Sequence, residues 1–166
     1  MTEDGQTPDE SGALGWALVG AQFAILGLLG REVVRARRAW GTTALGLLVA
    51  GVGAFFVASA SRTLGQYLRA HPAPHPEGVL RTDGAYDIVR HPIYFGLLSM
   101  ALGGAIIART GRAVAALVAL GALFHVKSRL EERLLAERFP AYAEYAARVP
   151  RLLPHYDRCP YPLNAR

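Results

Sequence analysis

An arginine, a histidine and two tyrosines crowd the stretch Gly84-Ala85-Tyr86-Asp87-Ile88-Val89-Arg90-His91-Pro92-Ile93-Tyr94-Phe95-Gly96, against an uncharged run, residues 93–108. Such groups are costly inside hydrocarbon, so they are expected at a membrane boundary. Pro92 reads as the first residue of a helix, where its missing N–H would have had no partner, and it drives His91 into a cap position. Arg90, His91 and the free N–H groups of that first turn then converge at the positive end of the helix dipole, a seat for a carboxylate or phosphate. An interfacial anchor is the alternative reading of the same residues.

A second set of reactive groups lies in His125-Val126-Lys127-Ser128-Arg129-Leu130-Glu131-Glu132-Arg133-Leu134-Leu135. At about 3.6 residues per turn, Lys127 and Glu131 share one face, and His125, Arg129 and Glu132 share another. If this helix returns to the side where Arg90 and His91 sit, a pocket forms between them. Without the loop opposite, the same residues would be a solvated face of intrahelical ion pairs.

Positioning these groups requires membrane helices. Of the 166 residues 52% are hydrophobic, and the charged share of 19% is below the roughly 25% usual for soluble domains, which points to a small integral membrane protein. The net charge of +5 rests on arginines apart from Lys127, and anionic lipid headgroups account for it; no aromatic-interleaved basic motif points to nucleic acid. Cys159 is the sole cysteine, so neither an internal disulfide nor a cysteine metal cluster forms.

Residues 1–12 are acidic and polar, are expected to be disordered, and precede a single domain over 13–166. Residues 13–30 form the first apolar run, with Trp16 as an anchor and Gln22 as its strongly polar member, expected to bond to a neighbouring helix. After a basic turn over residues 31–38, residues 43–61 form a second run whose Gly46, Gly51 and Gly53 favour close helix packing. The long polar stretch 62–90 is interrupted by His71-Pro72-Ala73-Pro74-His75-Pro76, whose prolines impose an extended backbone; no carboxylate or cysteine is spaced to complete a metal site, so none is assigned. Asp83-Gly84 supplies turn chemistry before Tyr86.

The runs 93–108 and 113–124 are separated by four residues and form a helical hairpin, with the last helix projecting from the membrane to about residue 139. Residues 141–154 form an amphipathic tail that lies on the membrane or folds back as a lid. The expected architecture is all-α, an integral membrane protein with four transmembrane helices, a C-terminal helical hairpin and an amphipathic cytoplasmic tail.

The series Gly-x-Tyr-x-x-x-Arg-His-Pro-x-Tyr-x-Gly at residues 84–96, Glu131-Glu132 after a hairpin, and Tyr145-x-x-Arg148-Val149-Pro150 resembles the isoprenylcysteine carboxyl methyltransferase family and its phospholipid methyltransferase relatives. The resemblance covers about the last half of the chain. It implies an integral membrane methyltransferase that uses S-adenosyl-L-methionine on a lipophilic acceptor: an isoprenoid-type carboxylate, a lipid, or a small thiol or amine. By position it implies cofactor contacts from His71, Gly78, Val79, Leu80, Arg81, Tyr86, His91, Pro92, Ile93, Tyr94 and Glu131, and catalytic roles for Lys127, Arg148 and His91. The turn at Phe139-Pro140-Ala141 is one residue shorter than the family's, and the span count is smaller than in larger members.

A cytosolic cofactor places the site on the cytoplasmic side of an inner or plasma membrane, although the basic turn at 31–38 argues the other way. Two other classes share some of these features: an NADPH-dependent membrane sterol or steroid reductase, with a similar Arg-His-Pro-x-Tyr entrance, and a non-enzymatic membrane scaffold.

Overall fold

A computed structural model describes residues 10–37, 39–70 and 78–154; the expectations for the acidic start before Glu10, for His71-Pro76 and for Cys159 fall outside them. The described residues are all helical apart from turns and extended links. The elements are α1 (Glu10–Arg35), α2 (Trp40–Leu64) with a 3-10 turn at Gly65–Tyr67, α3 (Ala85–Ile88), α4 (Pro92–Ala108), α5 (Gly111–Arg138) and α6 (Tyr142–Arg148). The four expected apolar runs fall within α1, α2, α4 and α5. Gly12–Arg35, Trp40–Tyr67 and Gly111–Arg138 are long and apolar enough to cross a membrane, whereas α4 is a shorter apolar helix.

The helices run alternately up and down, with α4 in the middle, packed against α1, α2 and α5. Its sequence is apolar all round because it has neighbours on several sides. The α2–α4 seam is made by glycines: Gly46 faces Gly103 and Gly53 faces Gly96, so the two helices are antiparallel. A Cβ on Gly46 would lie 2.6 Å from the Gly103 carbonyl oxygen, closer than any side chain tolerates. Gly51 takes no part, since a Cβ there would meet nothing within 4 Å. On another face, Ala101, Ala105 and Ala108 of α4 join Leu29 of α1 and Ala113, Ala116, Leu120 and Phe124 of α5 in the main core.

Pro92 occupies the first turn of α4 and His91 is its N-cap residue, with an extended φ of −123° and no side-chain cap bond. The hairpin is tight: Arg109 adopts left-handed geometry (φ 52°), and Thr110 caps α5 by accepting from the Ala113 N–H at 3.1 Å. The 28 residues of α5 extend about 42 Å, more than the roughly 30 Å of a hydrocarbon core, and its polar last turns lie beside the loop and tail.

Candidate active site

The tail folds back. The Arg90 N–H donates to the Pro150 carbonyl at 2.8 Å and the His91 N–H to that of Arg151 at 3.1 Å, so the entrance to α4 pairs with the chain leaving α6. The Arg90 guanidinium donates to the carbonyls of Ala146 and Val149, each at 2.6 Å, satisfying the C-terminal end of α6, where carbonyls lack helical partners. It also pairs with Glu132 at 2.8 Å, and Arg151 reaches the other oxygen of that carboxylate at 2.6 Å. Arg90 therefore anchors the tail and also lines the cavity beside His91. The Tyr145 hydroxyl donates to the Tyr86 carbonyl at 2.6 Å, and Leu80 packs on Tyr142, Tyr145 and Val149, joining tail and loop.

These contacts border a partly open cavity of about 500 Å³ at this end of the bundle. Gly78, Val79, Leu80, Arg81, Tyr86, His91, Pro92, Ile93, Tyr94, Lys127 and Glu131, all singled out in the sequence, line it. His71 lies outside the described residues. Arg148 is the exception: its side chain is 58% exposed, pairs at 3.7 Å with Glu144 one turn earlier on α6, and does not reach the cavity. The short α6 turns Tyr142 and Tyr145 inward and Arg148 outward. His125 and Arg129 are also exposed, so of the second expected face only Glu132 joins this end of the bundle.

Glu131 and Glu132, adjacent but about 100° apart around α5, divide their work. Glu132 binds the tail through Arg90 and Arg151, whereas Glu131 accepts from the Tyr94 hydroxyl and faces the cavity. His91 lies between them, with Nδ1 3.3 Å from Glu131 and Nε2 3.3 Å from Glu132. Only the doubly protonated ring donates to both. Burial by itself pushes this imidazole down, but the hydrogen bonds and charges of the two carboxylates reverse the effect and hold it above its ordinary value. Tyr94 is stacked between His91 and Phe124, with ring centroids 5.5 and 4.4 Å away. Burial, the largest cause, raises the phenols of Tyr86, Tyr142 and Tyr145, which therefore stay protonated.

Lys127 is 1% exposed and donates to the Gln22 side-chain oxygen at 2.8 Å and to the Ala70 carbonyl at 3.1 Å. Val57, Leu64 and Leu97 add an apolar wall to the cavity, which Gln22 and Ser61 also line; among these, only Gln22 carried a legible signal, as an amide in an apolar run. Tyr142 and Tyr145 of α6 line it as well. A helical bundle with a cavity lined by both polar and apolar side chains suits a protein that handles a polar ligand together with an apolar one.

The comparisons make this class specific. The family model for phospholipid methyltransferases matches residues 42–142, more than half of the chain. The protein belongs to this family of membrane methyltransferases. It is also similar to the cobalt-zinc-cadmium resistance protein CzcN of Cupriavidus metallidurans, 37% identical over 76 residues, which are 45% of this chain and 35% of that protein. The match thus spans about a third of the relative's length. Among the described residues no group of three or more His, Cys, Asp or Glu is arranged to hold a metal ion.

Proposed function

We propose that this protein transfers a methyl group from S-adenosyl-L-methionine to a lipophilic acceptor at the membrane interface. The observation that carries the reading is the single cavity joining Arg81, Tyr86, His91 and Glu131 to the apolar Val57, Leu64 and Leu97. Its volume of about 500 Å³ lies within the roughly 300–1,000 Å³ of small-molecule sites.

The residues fit the cofactor. Arg81 lines the cavity and its Nε is buried without a partner among the described residues, suited to a carboxylate. Glu131 suits an ammonium or ribose hydroxyls, and the rings of Tyr86 and Tyr94 offer aromatic surface to adenine or a sulfonium. Gly78, Val79, Leu80, Pro92 and Ile93 supply the remaining wall. When bound, S-adenosyl-L-methionine supplies an electrophilic methyl group, and the protein's task is to hold the acceptor in line with it in a dry site, where orientation is worth about 7–11 kcal/mol. His91, clamped as an imidazolium between Glu131 and Glu132, contributes a fixed positive charge; Lys127 faces the acceptor end.

The acceptor enters from the bilayer between α1 and α2. Both contribute to the cavity wall, yet among the described residues they do not pack on each other. All four long helices span the membrane, α4 at roughly 25 Å being held by its neighbours, with the site on the cytoplasmic side where the cofactor is supplied.

Thermal denaturation of the detergent-purified protein tests the reading. S-adenosylhomocysteine at 100 times its dissociation constant is expected to stabilise the folded state by about 2.7 kcal/mol. A shift with NADPH but none with saturating S-adenosylhomocysteine would overturn it.

A further inference from the structure

Gln22 belongs to α1, outside the residues that match the family model, yet its buried side chain reaches the cavity and holds the ammonium of Lys127. Lys127 lies one helical turn from Glu131, toward the hairpin end of α5. Although the two are close, they make no ion pair within 4 Å: Glu131 is engaged by Tyr94 and His91 instead. Lys127 is therefore a buried cation whose hydrogen-bond acceptors among the described residues, Gln22 and the Ala70 carbonyl, are both neutral. An ammonium has three donors, of which the described residues take two, and the Glu131 carboxylate one turn away favours its charge without touching it, so one donor among the described residues is left for an anionic oxygen. The Tyr94 ring, with its centroid 5.2 Å from Nζ, adds a weaker attraction but no countercharge.

We propose that Gln22 is a specificity-determining positioning residue: by orienting Lys127 it selects acceptors that present an anionic oxygen, from a carboxylate or a phosphate, in the cavity. The inference rests on the methyltransferase reading for its biological meaning, but head-group selectivity is measurable without cofactor. A neutral amide fixes the ammonium without cancelling its charge, whereas a carboxylate at the same place would cancel it. A protonated amine head would meet Lys127 as a like charge.

The test uses the full-length protein in phosphatidylcholine nanodiscs, with binding of dodecanoate, dodecyl phosphate, dodecanol and dodecylamine measured separately by thermal shift. The wild type is expected to bind both anions at least about tenfold more tightly than the alcohol, equivalent to about 1.4 kcal/mol, and the amine most weakly. Gln22→Met should remove most of that preference while leaving affinity for dodecanol and S-adenosylhomocysteine unchanged. Gln22→Glu should abolish it and favour the amine. Whichever anion binds more tightly identifies the source of the oxygen. Equal binding of alcohol and anions by the wild type, or an equal loss for every head group in Gln22→Met, would overturn the proposal and leave Gln22 as a brace between α1 and α5. Lack of S-adenosylhomocysteine binding in the wild type would instead remove the methyltransferase reading, with the head-group preference still measured independently.

Discussion

Each end of the bundle is closed by a glutamate that ties separate segments together, and the two ends differ in what surrounds it. At the hairpin end, Glu32 of α1 is buried, accepts from Thr110 at 2.9 Å and pairs with Arg112 at 3.4 Å, while Arg109 donates to the Arg37 carbonyl. Arg112 is itself 79% exposed, so this closure is half in solvent. At the opposite end Glu132 is gripped by two arginines and a histidine, and Arg90 also secures the last carbonyls of α6. The first closure joins helix ends directly. The second holds a folded-back tail beside the cavity, which the neighbouring Glu131 lines.

The largest expected effect comes from breaking that second closure. Removing one member of a buried ion pair costs about 3–5 kcal/mol, because the remaining charges stay buried. Glu132→Gln should therefore sharply lower thermal stability in detergent, and Glu32→Gln should cost less, about 1–3 kcal/mol. Equal losses would mean that the two ends are closed alike.

Glu131→Gln should separate binding from folding. Its affinity for S-adenosylhomocysteine is expected to fall at least about tenfold by titration calorimetry, or about 1.4 kcal/mol, with a smaller change in unfolding midpoint than for Glu132→Gln. The reverse pattern would exchange the roles of the two carboxylates.

A smaller effect is expected from pH. The folded-state pKa of His91 is raised above the ordinary value of about 6.5, so its stabilising contribution is complete below that pH and disappears as pH rises through the folded value. The groups facing it are Glu131 and Glu132, with the Tyr94 ring stacked on it. As pH rises above about 6.5, the wild-type midpoint should fall more steeply than that of His91→Gln; parallel profiles would show that the histidine is not held protonated.

The smallest effect belongs to Arg148. An exposed ion pair within one helix contributes little, so Arg148→Met should change stability by no more than about 0.5 kcal/mol and leave S-adenosylhomocysteine affinity unchanged. A marked loss of affinity would mean that α6 turns this side chain inward when ligand binds.

Much of this organisation was legible in the chain itself. Uncharged runs separated by polar links determine helices and their alternation, since backbone polar groups in hydrocarbon must be satisfied within the helix. Pro92 determines where α4 begins, because proline fits a first turn and little else in a helix. The spacing of Lys127, Glu131 and Glu132 determines that the first two share a face and the third does not. Contacts between distant segments were not legible. Tertiary structure decided that Arg90 anchors the tail, that Arg148 faces solvent, that Gly46 and Gly53 line the α2–α4 seam while Gly51 does not, and that Gln22 meets Lys127 from 105 positions away. The physical reason is that periodicity specifies a side chain's direction around its own helix, whereas its partner depends on the rotation and depth at which helices pack, set jointly by all the contacts between them.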